Sequence, residues 1–363
     1  MNDERAIEKK TKLVVVLMMR SFFVLHFSLF VIILLFTTSC SQGNDDEAAQ
    51  FFLKGNVQLQ KREYREAIRY YTEAIGKKAD FADAYNNRGL AYFRNDDREN
   101  ALADYNKAID LDSDFDAAYL NRAEIRLETG DPAASLADLQ RIEKTYRDSS
   151  AYQVRLGDAY VRLNQPAPAQ AAYDKAVLLA PNNAEALTNR GALYFNQKQY
   201  DLAVADISLA LKLNPKQGAA LNNQSLLLAR QGKFAEALPF VERALSIQRN
   251  QPYYLNNKAY LLLMLDRNAE GLPLVQESLR LDNQNAWAHR TIGIYQLREK
   301  QAKPALTAFR EAERLDPSVD ELYYYLGLAE QATGNQQAAC AAWKRGVSLG
   351  DAKAAQEQKK QCK

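Results

Sequence analysis

The chain has 363 residues, 47% hydrophobic and 25% charged, with 15 glycines and 10 prolines, a balance that excludes a disordered or fibrous polymer. Residues 1–39 hold five of the 47 basic and three of the 45 acidic residues, so the remainder has no formal net charge and no bulk pull on nucleic acid. Two histidines (His26, His289) and three cysteines (Cys40, Cys340, Cys362) exclude a multi-histidine zinc site and argue against a catalytic triad.

The first element is a leader. A polar, basic start is followed by the apolar run SFFVLHFSLFVIILLF from Ser21 to Phe36, with Arg20 before it and Thr37-Thr38-Ser39-Cys40 after it. That order of charge, apolar run, small residues and cysteine reads as a secretory signal over residues 1–39. It resembles the lipobox of bacterial lipoproteins, with Thr37 where leucine is commonest. The resemblance implies cleavage behind Ser39, a diacylglyceryl thioether on Cys40 and anchoring in a Gram-negative envelope. Ser41 favours the outer membrane, on its periplasmic or its surface side. An uncleaved membrane helix from about Leu13 to Thr38, or a free cysteine in a secreted protein, are the alternatives; a start at Met18 or Met19 would give a leader of more usual length. Residues 40–47 read as a lipidated, polar, acidic tether.

From Ala48 the sequence repeats every 34 residues to residue 353 without insertion or deletion, with starts at Ala48, Ala82, Asp116, Ser150, Ala184, Gly218, Pro252, Ala286 and Asp320. Position 8 reads Gly55, Gly89, Ala123, Gly157, Gly191, Ser225, Ala259, Gly293, Gly327, and position 20 is equally small throughout. Position 24 is always bulky, from Tyr71 to Trp343, and position 27 is small except at Ile142. Small residues on two antiparallel helices let the backbones approach, and a bulky neighbour fills the space beside them. A mid-helix glycine costs about 1 kcal/mol, so its recurrence implies a packing return. Apolar residues at position 30, among them Leu213 and Ile247, are expected to seal one repeat onto the next, and Pro or Asp/Asn near position 32 ends the second helix. The spacing predicts helix A over positions 2–14, helix B over 17–30 and no strand. Repeat 3 is the weakest match, through Ile142, and Pro239 and Pro273 at position 22 are expected to weaken their helices' first turns without breaking the array.

This pattern resembles the tetratricopeptide repeat over residues 48–353. The resemblance implies an all-α, right-handed superhelical solenoid of nine helix-turn-helix repeats (48–81, 82–115, 116–149, 150–183, 184–217, 218–251, 252–285, 286–319, 320–353) plus a C-terminal capping helix ending within 354–363, with helix A lining a concave face. Cys340 at position 21 of repeat 9 and Cys362 at position 9 of a would-be tenth lie on helices that face one another in this fold. In an oxidising compartment a disulfide stapling the cap is expected, with two reduced thiols as the alternative.

In this family, helix A positions 2, 5, 6, 9, 12 and 13 line the concave surface. Position 6 is asparagine in five repeats (Asn87, Asn121, Asn189, Asn223, Asn257), a carboxamide ladder able to hold an extended peptide, as in the superhelical domain of O-GlcNAc transferases. Asparagine is also the family's commonest residue there. Arg94, Arg162, Arg230 and Arg298 stand at position 13 of the even repeats, either to grip partner carboxylates or to complement the helix dipole. Repeats 7–9 place Tyr253, Tyr260, Trp287, Arg290, Tyr324 and Tyr325 on the same face, residue types that anchor interfaces, while Tyr323 at position 4 is expected to pack between helices.

No phosphate loop, nucleophile elbow or metal-ligand spacing is present in the sequence, so neither enzyme chemistry, a metal nor a cofactor is expected. The expected function is a lipid-anchored scaffold or adaptor for a protein or extended peptide, with no nucleic acid as partner. A passive structural subunit of an envelope complex is the alternative.

Overall fold

The structure, a computed structural model, describes residues 43–362; the leader, Cys40 and Lys363 lie outside the described residues. The chain divides into two compact bodies, the first ending at Arg147 and the second beginning at Asp148. The first holds α1 (43–60), α2 (Tyr64–Lys77), α3 (Ala82–Arg94), α4 (Arg98–Leu111), α5 (Asp116–Glu128), α6 (Pro132–Arg141) and α7 (Glu143–Tyr146). The second holds α8 (Ser150–Arg162), α9 (Pro166–Leu179), α10 (Ala184–Asn196), α11 (Tyr200–Leu213), α12 (Gly218–Arg230), α13 (Phe234–Ile247), α14 (Pro252–Met264), α15 (Asn268–Leu281), α16 (Ala286–Arg298), α17 (Ala302–Leu315), α18 (Leu322–Ala332), α19 (Gln336–Ser348) and α20 (Ala352–Gln361).

Among the described residues every element is helical, and helix A generally occupies positions 1–13 and helix B 17–30. The turn between them has one design. Position 15 takes a positive φ in all nine repeats, at Arg62, Asp96, Gly130, Asn164, Lys198, Gly232, Asp266, Lys300 and Gly334. The next residue's N–H then reaches back to a carbonyl five residues earlier, as from Asp97 to Tyr92 at 2.9 Å and from Gln199 to Tyr194 at 2.8 Å. This hydrogen bond ends helix A and offsets the left-handed conformation at the non-glycine positions.

Helix pairing follows the small-to-bulky rule. Position 24 is at most 3% exposed in every repeat. Where it is aromatic or Ile207, position 8 is glycine; opposite Leu139, Val241 and Val275 it is Ala123, Ser225 and Ala259. A Cβ on Gly191 would meet Ile207 Cδ1 at 2.8 Å, and one on Gly327 would collide with the Trp343 indole. The glycines are therefore carved to the volume of the facing side chain.

Three local features depart from the sequence pattern. Helix α1 begins at residue 43, inside the segment read as a tether, with Asp45 and Glu47 in its first turns pairing with Lys78 (3.9 Å) and Lys77 (2.5 Å). Acids at a helix start suit its dipole. Position 30 seals the repeats only in part: Leu179, Leu213, Ile247, Leu281 and Leu349 are each 37–46% exposed, Leu315 packs against the core, and the buried residues are those at 24 and 27. In repeat 3 helix B breaks at Ile142 (φ −104°, ψ 8°), where a bulky, buried side chain replaces the usual small one, and the first body ends shortly after. Pro239 and Pro273, in contrast, lie inside continuous helices α13 and α15.

The C-terminal cap is α20. Asp351 accepts from the Lys353 and Ala354 backbone N–H groups at 2.9 and 3.1 Å, and the Ala354 methyl sits over Gly346. The expected Cys340–Cys362 disulfide is formed, with Cα atoms 5.7 Å apart.

Candidate binding face

Along helix A the position-6 asparagines are tied from one repeat to the one before. Asn87 donates to Asn56 Oδ1 (3.0 Å), Asn121 to Asn86 Oδ1 (2.8 Å), Asn189 to Asp158 Oδ1 (2.9 Å) and Asn257 to Asn222 Oδ1 (2.8 Å). Asn223 is half-buried. Four of the five side chains thus spend one amide hydrogen on fixing the spacing of neighbouring A helices. Twice the acceptor is shared with a tyrosine from position 24: Tyr71 donates to Asn56 (2.7 Å) and Tyr173 to Asp158 (2.6 Å). In repeat 2 position 9 is Leu90, and the buried Tyr105 hydroxyl has no partner. Burial pushes the Asp158 carboxyl above its ordinary range despite these donors.

A second recurring bond escaped the sequence reading. Arginine at position 7 forks onto aspartate at position 23 of the same repeat: Arg88–Asp104, Arg122–Asp138 and Arg190–Asp206, all at 2.7–2.9 Å and little exposed. Arg126 also reaches Asp138 at 2.7 Å. The signal was an Arg and an Asp sixteen residues apart in three repeats, on facing helices.

Two of the position-13 arginines, Arg230 and Arg298, bond within the chain, while Arg94 and Arg162 are exposed. Arg298 donates to the Leu263 carbonyl at 2.6 Å and to Asp266 at 2.9 Å, capping the end of the preceding A helix. Arg230 lies over the Tyr200 ring at 4.6 Å and pairs with Asp320, three repeats on, at 3.1 Å. Lys198 makes a parallel crossing to the Leu349 carbonyl at 3.1 Å. Within the second body, repeats 5 and 6 are therefore clasped to repeat 9.

The aromatic residues of repeats 7–9 converge beside this clasp. Arg290 is 4% exposed, with its guanidinium 4.7 Å from the Tyr260 ring centre and 5.0 Å from Trp287. Its Nη1 donates to the Asp320 carbonyl at 2.7 Å, while Nε is buried without a partner. Arg290 is thus part of the floor and not a free arm. Tyr325 stacks on Phe309 and meets Tyr324 edge-on at 4.8 Å. Tyr260, Trp287, Tyr324 and Tyr325 are half-buried, and Tyr253 stands apart, 45% exposed. Burial raises the hydroxyl pKa of Tyr260, Tyr324 and Tyr325, so all three remain hydrogen-bond donors at neutral pH. Tyr323 packs in the core, as expected.

Family models described as the tetratricopeptide repeat match residues 82–115 and 184–217, residues 150–183, and residues 203–254. The matched segments are tetratricopeptide repeats, and the chain shares the fold of tetratricopeptide-repeat proteins. Such repeats present extended surfaces to protein or peptide partners. The solved APC/C hetero-tetramer Cut9-Hcn1 contains a similar chain, with a TM-score of 0.60 at 13% identity, covering 87% of this chain and 76% of that one. Human IFIT1, solved as a dimer with m7Gppp-AAAA, gives 0.52 at 17% identity, over 77% and 70%. A tetratricopeptide repeat protein from Parabacteroides merdae ATCC 43184 gives 0.49 at 18% identity, over 68% and 98%. Likeness at such identities is one of fold. No curated protein matches the chain.

Proposed function

We propose that this chain is a non-catalytic scaffold that binds a protein or extended peptide on the helix A face of repeats 7–9, held to a Gram-negative envelope by a lipid on Cys40. The observation that carries the binding face is the convergence of Tyr260, Trp287 and Tyr325 on a buried arginine, with Tyr324 edge-on to Tyr325 and Tyr253 exposed on repeat 7. Half-buried aromatics on a rigid floor offer contact area at small entropic cost. Within the second body Asn189 and Asn257 support the same face, since each tied side chain keeps its carbonyl oxygen or second amide hydrogen for a peptide backbone.

The lipid anchor rests on the order of leader, small residues and Cys40 in the sequence. Crosslinking pull-down from envelopes tests the binding face: the wild type captures a partner and the Trp287→Ala/Tyr324→Ala double variant does not. Unchanged membrane association and mobility of Cys40→Ser would refute the anchor.

A second reading, a structural subunit held through broad outer surfaces, is favoured by the exposed row of Leu179, Leu213, Ile247, Leu281 and Leu349 on helix B. It predicts that capture survives the aromatic substitutions and is lost when Leu213 and Ile247 become polar.

A further inference from the structure

We propose that Glu321 and the ring of Tyr324 form a cation site whose built-in occupant is Lys353, and that the partner of this face presents a lysine or arginine side chain that takes its place. The proposal rests on the binding face argued above and adds the chemistry of what that face grips.

The first observation is backbone strain out of pattern. Among the described residues seven non-glycine residues have positive φ, and six of them stand at position 15, where the turn hydrogen bond requires it. Glu321 is the seventh, with φ 57° at position 2 of repeat 9. The other eight repeats pass position 2 in regular helix. The left-handed conformation is strained for a non-glycine residue, and such outliers gather at binding sites.

The second observation is what this conformation brings together. Glu321 Oε1 lies 2.6 Å from Lys353 Nζ, and the same Nζ sits 5.7 Å from the Tyr324 ring centre. Glu321 Oε2 is buried without any hydrogen-bond partner. An unmatched acceptor beside an ion pair is a place for another N–H, and a guanidinium could take both oxygens at once.

The third observation is which half can leave. The Glu321 side chain is 19% exposed and Lys353 is 47% exposed, so the carboxylate is fixed in the wall and the ammonium is the replaceable member. Charge favours a cation in its place: Glu321, Asp351 and Glu357 all act on the Tyr324 hydroxyl against Lys353 alone. Of the neighbouring cations Arg230 is paired with the Asp320 carboxylate, while Arg290 is held by the neutral Asp320 carbonyl and acts on Tyr260 and Tyr325.

Lys353 stands at the start of α20, which Cys340–Cys362 ties down, so it competes as a tethered ligand at high effective concentration. An isolated basic peptide is therefore held weakly by the wild type, and a true partner adds contacts to Trp287 and Tyr260.

The test is a titration of the full chain with acetyl-Ala-Lys-Ala-amide, read on the ring signals of 13C-labelled tyrosine, with Tyr324 assigned through Tyr324→Phe. Lys353→Met and Lys353→Ala are each expected to bind the tripeptide about tenfold tighter than the wild type, and Lys353→Arg no tighter. The norleucine analogue should bind none of them, and adding Glu321→Gln to Lys353→Met should abolish binding. Either neutral variant binding no tighter than the wild type, or norleucine binding as well as lysine, overturns the proposal. Loss of partner capture in Trp287→Ala without tripeptide binding in Lys353→Met would remove the cation site and leave the binding face standing. Tripeptide binding with undiminished capture would do the reverse.

Discussion

The Trp343 indole occupies the space above the Cα of Gly327 and donates its Nε1–H to the Tyr324 carbonyl at 3.2 Å. One residue pair thus closes the last repeat and fixes the backbone of a binding-face tyrosine. Gly327→Ala would put a methyl group 2.6 Å from Trp343 Cδ1 and Cε2. It is expected to cost about 1–3 kcal/mol. Adding Trp343→Val should recover part of this, because repeat 7 pairs Ala259 with Val275. Urea melts followed by circular dichroism would show it, and a neutral Gly327→Ala would contradict the packing argument.

The tyrosines at position 24 separate into satisfied and unsatisfied. Tyr173→Phe removes a hydrogen bond to Asp158 and is expected to destabilise by about 1 kcal/mol, whereas Tyr105→Phe removes a buried hydroxyl with no partner and should be neutral or stabilising. Equal losses in the two variants would mean that Tyr105 has found an acceptor.

How much of this was legible depended on the range of the interaction. The alternation of small and bulky residues at 8, 20, 24 and 27 is local to one helix pair, and the sequence alone located the pair, the cap and the disulfide. Position 30 was overrated because an apolar residue at a helix end looks the same whether it faces a neighbour, as Leu315 does, or solvent, as Leu213 does at 42% exposure. The left-handed turn at position 15 hid behind Arg62, Lys198 and Lys300, since a backbone hydrogen bond sets it and not the side chain. Crossings such as Lys198 to Leu349 depend on how successive repeats rotate, which no single repeat encodes. The aromatic cluster was found by residue type, but that Arg290 lies beneath it was not visible.

Asp158 gives a pH dependence with a definite sign. Its folded-state pKa is raised by burial, so the folded protein holds that proton more tightly than the unfolded chain, and this contribution to stability is lost as pH rises from 3.8 through the raised value. Asp158→Asn does not titrate and keeps Oδ1 as an acceptor for Tyr173 and Asn189. Relative to the wild type, its melting temperature should therefore improve steadily as pH climbs through that window. A constant difference across the window would show that Asp158 titrates normally.

The clasp across the second body is electrostatic and half-exposed, with Arg230 43% and Asp320 48% exposed. Such a pair contributes on the order of 0.5 kcal/mol and is screened at high salt. Repeats 6 and 9 are joined here by a contact that spans three repeats, so a small energy controls a large lever. Spin labels on Gln231 and Ser318, flanking the pair, should report one narrow distance at low salt. Arg230→Ala should broaden that distance while leaving the melting temperature nearly unchanged, and Arg230→Asp combined with Asp320→Arg should restore it. A distribution indifferent to both salt and Arg230→Ala would mean that the stacking of repeats 6 to 9 alone sets the width of the face, and that Arg230 merely rests on Tyr200.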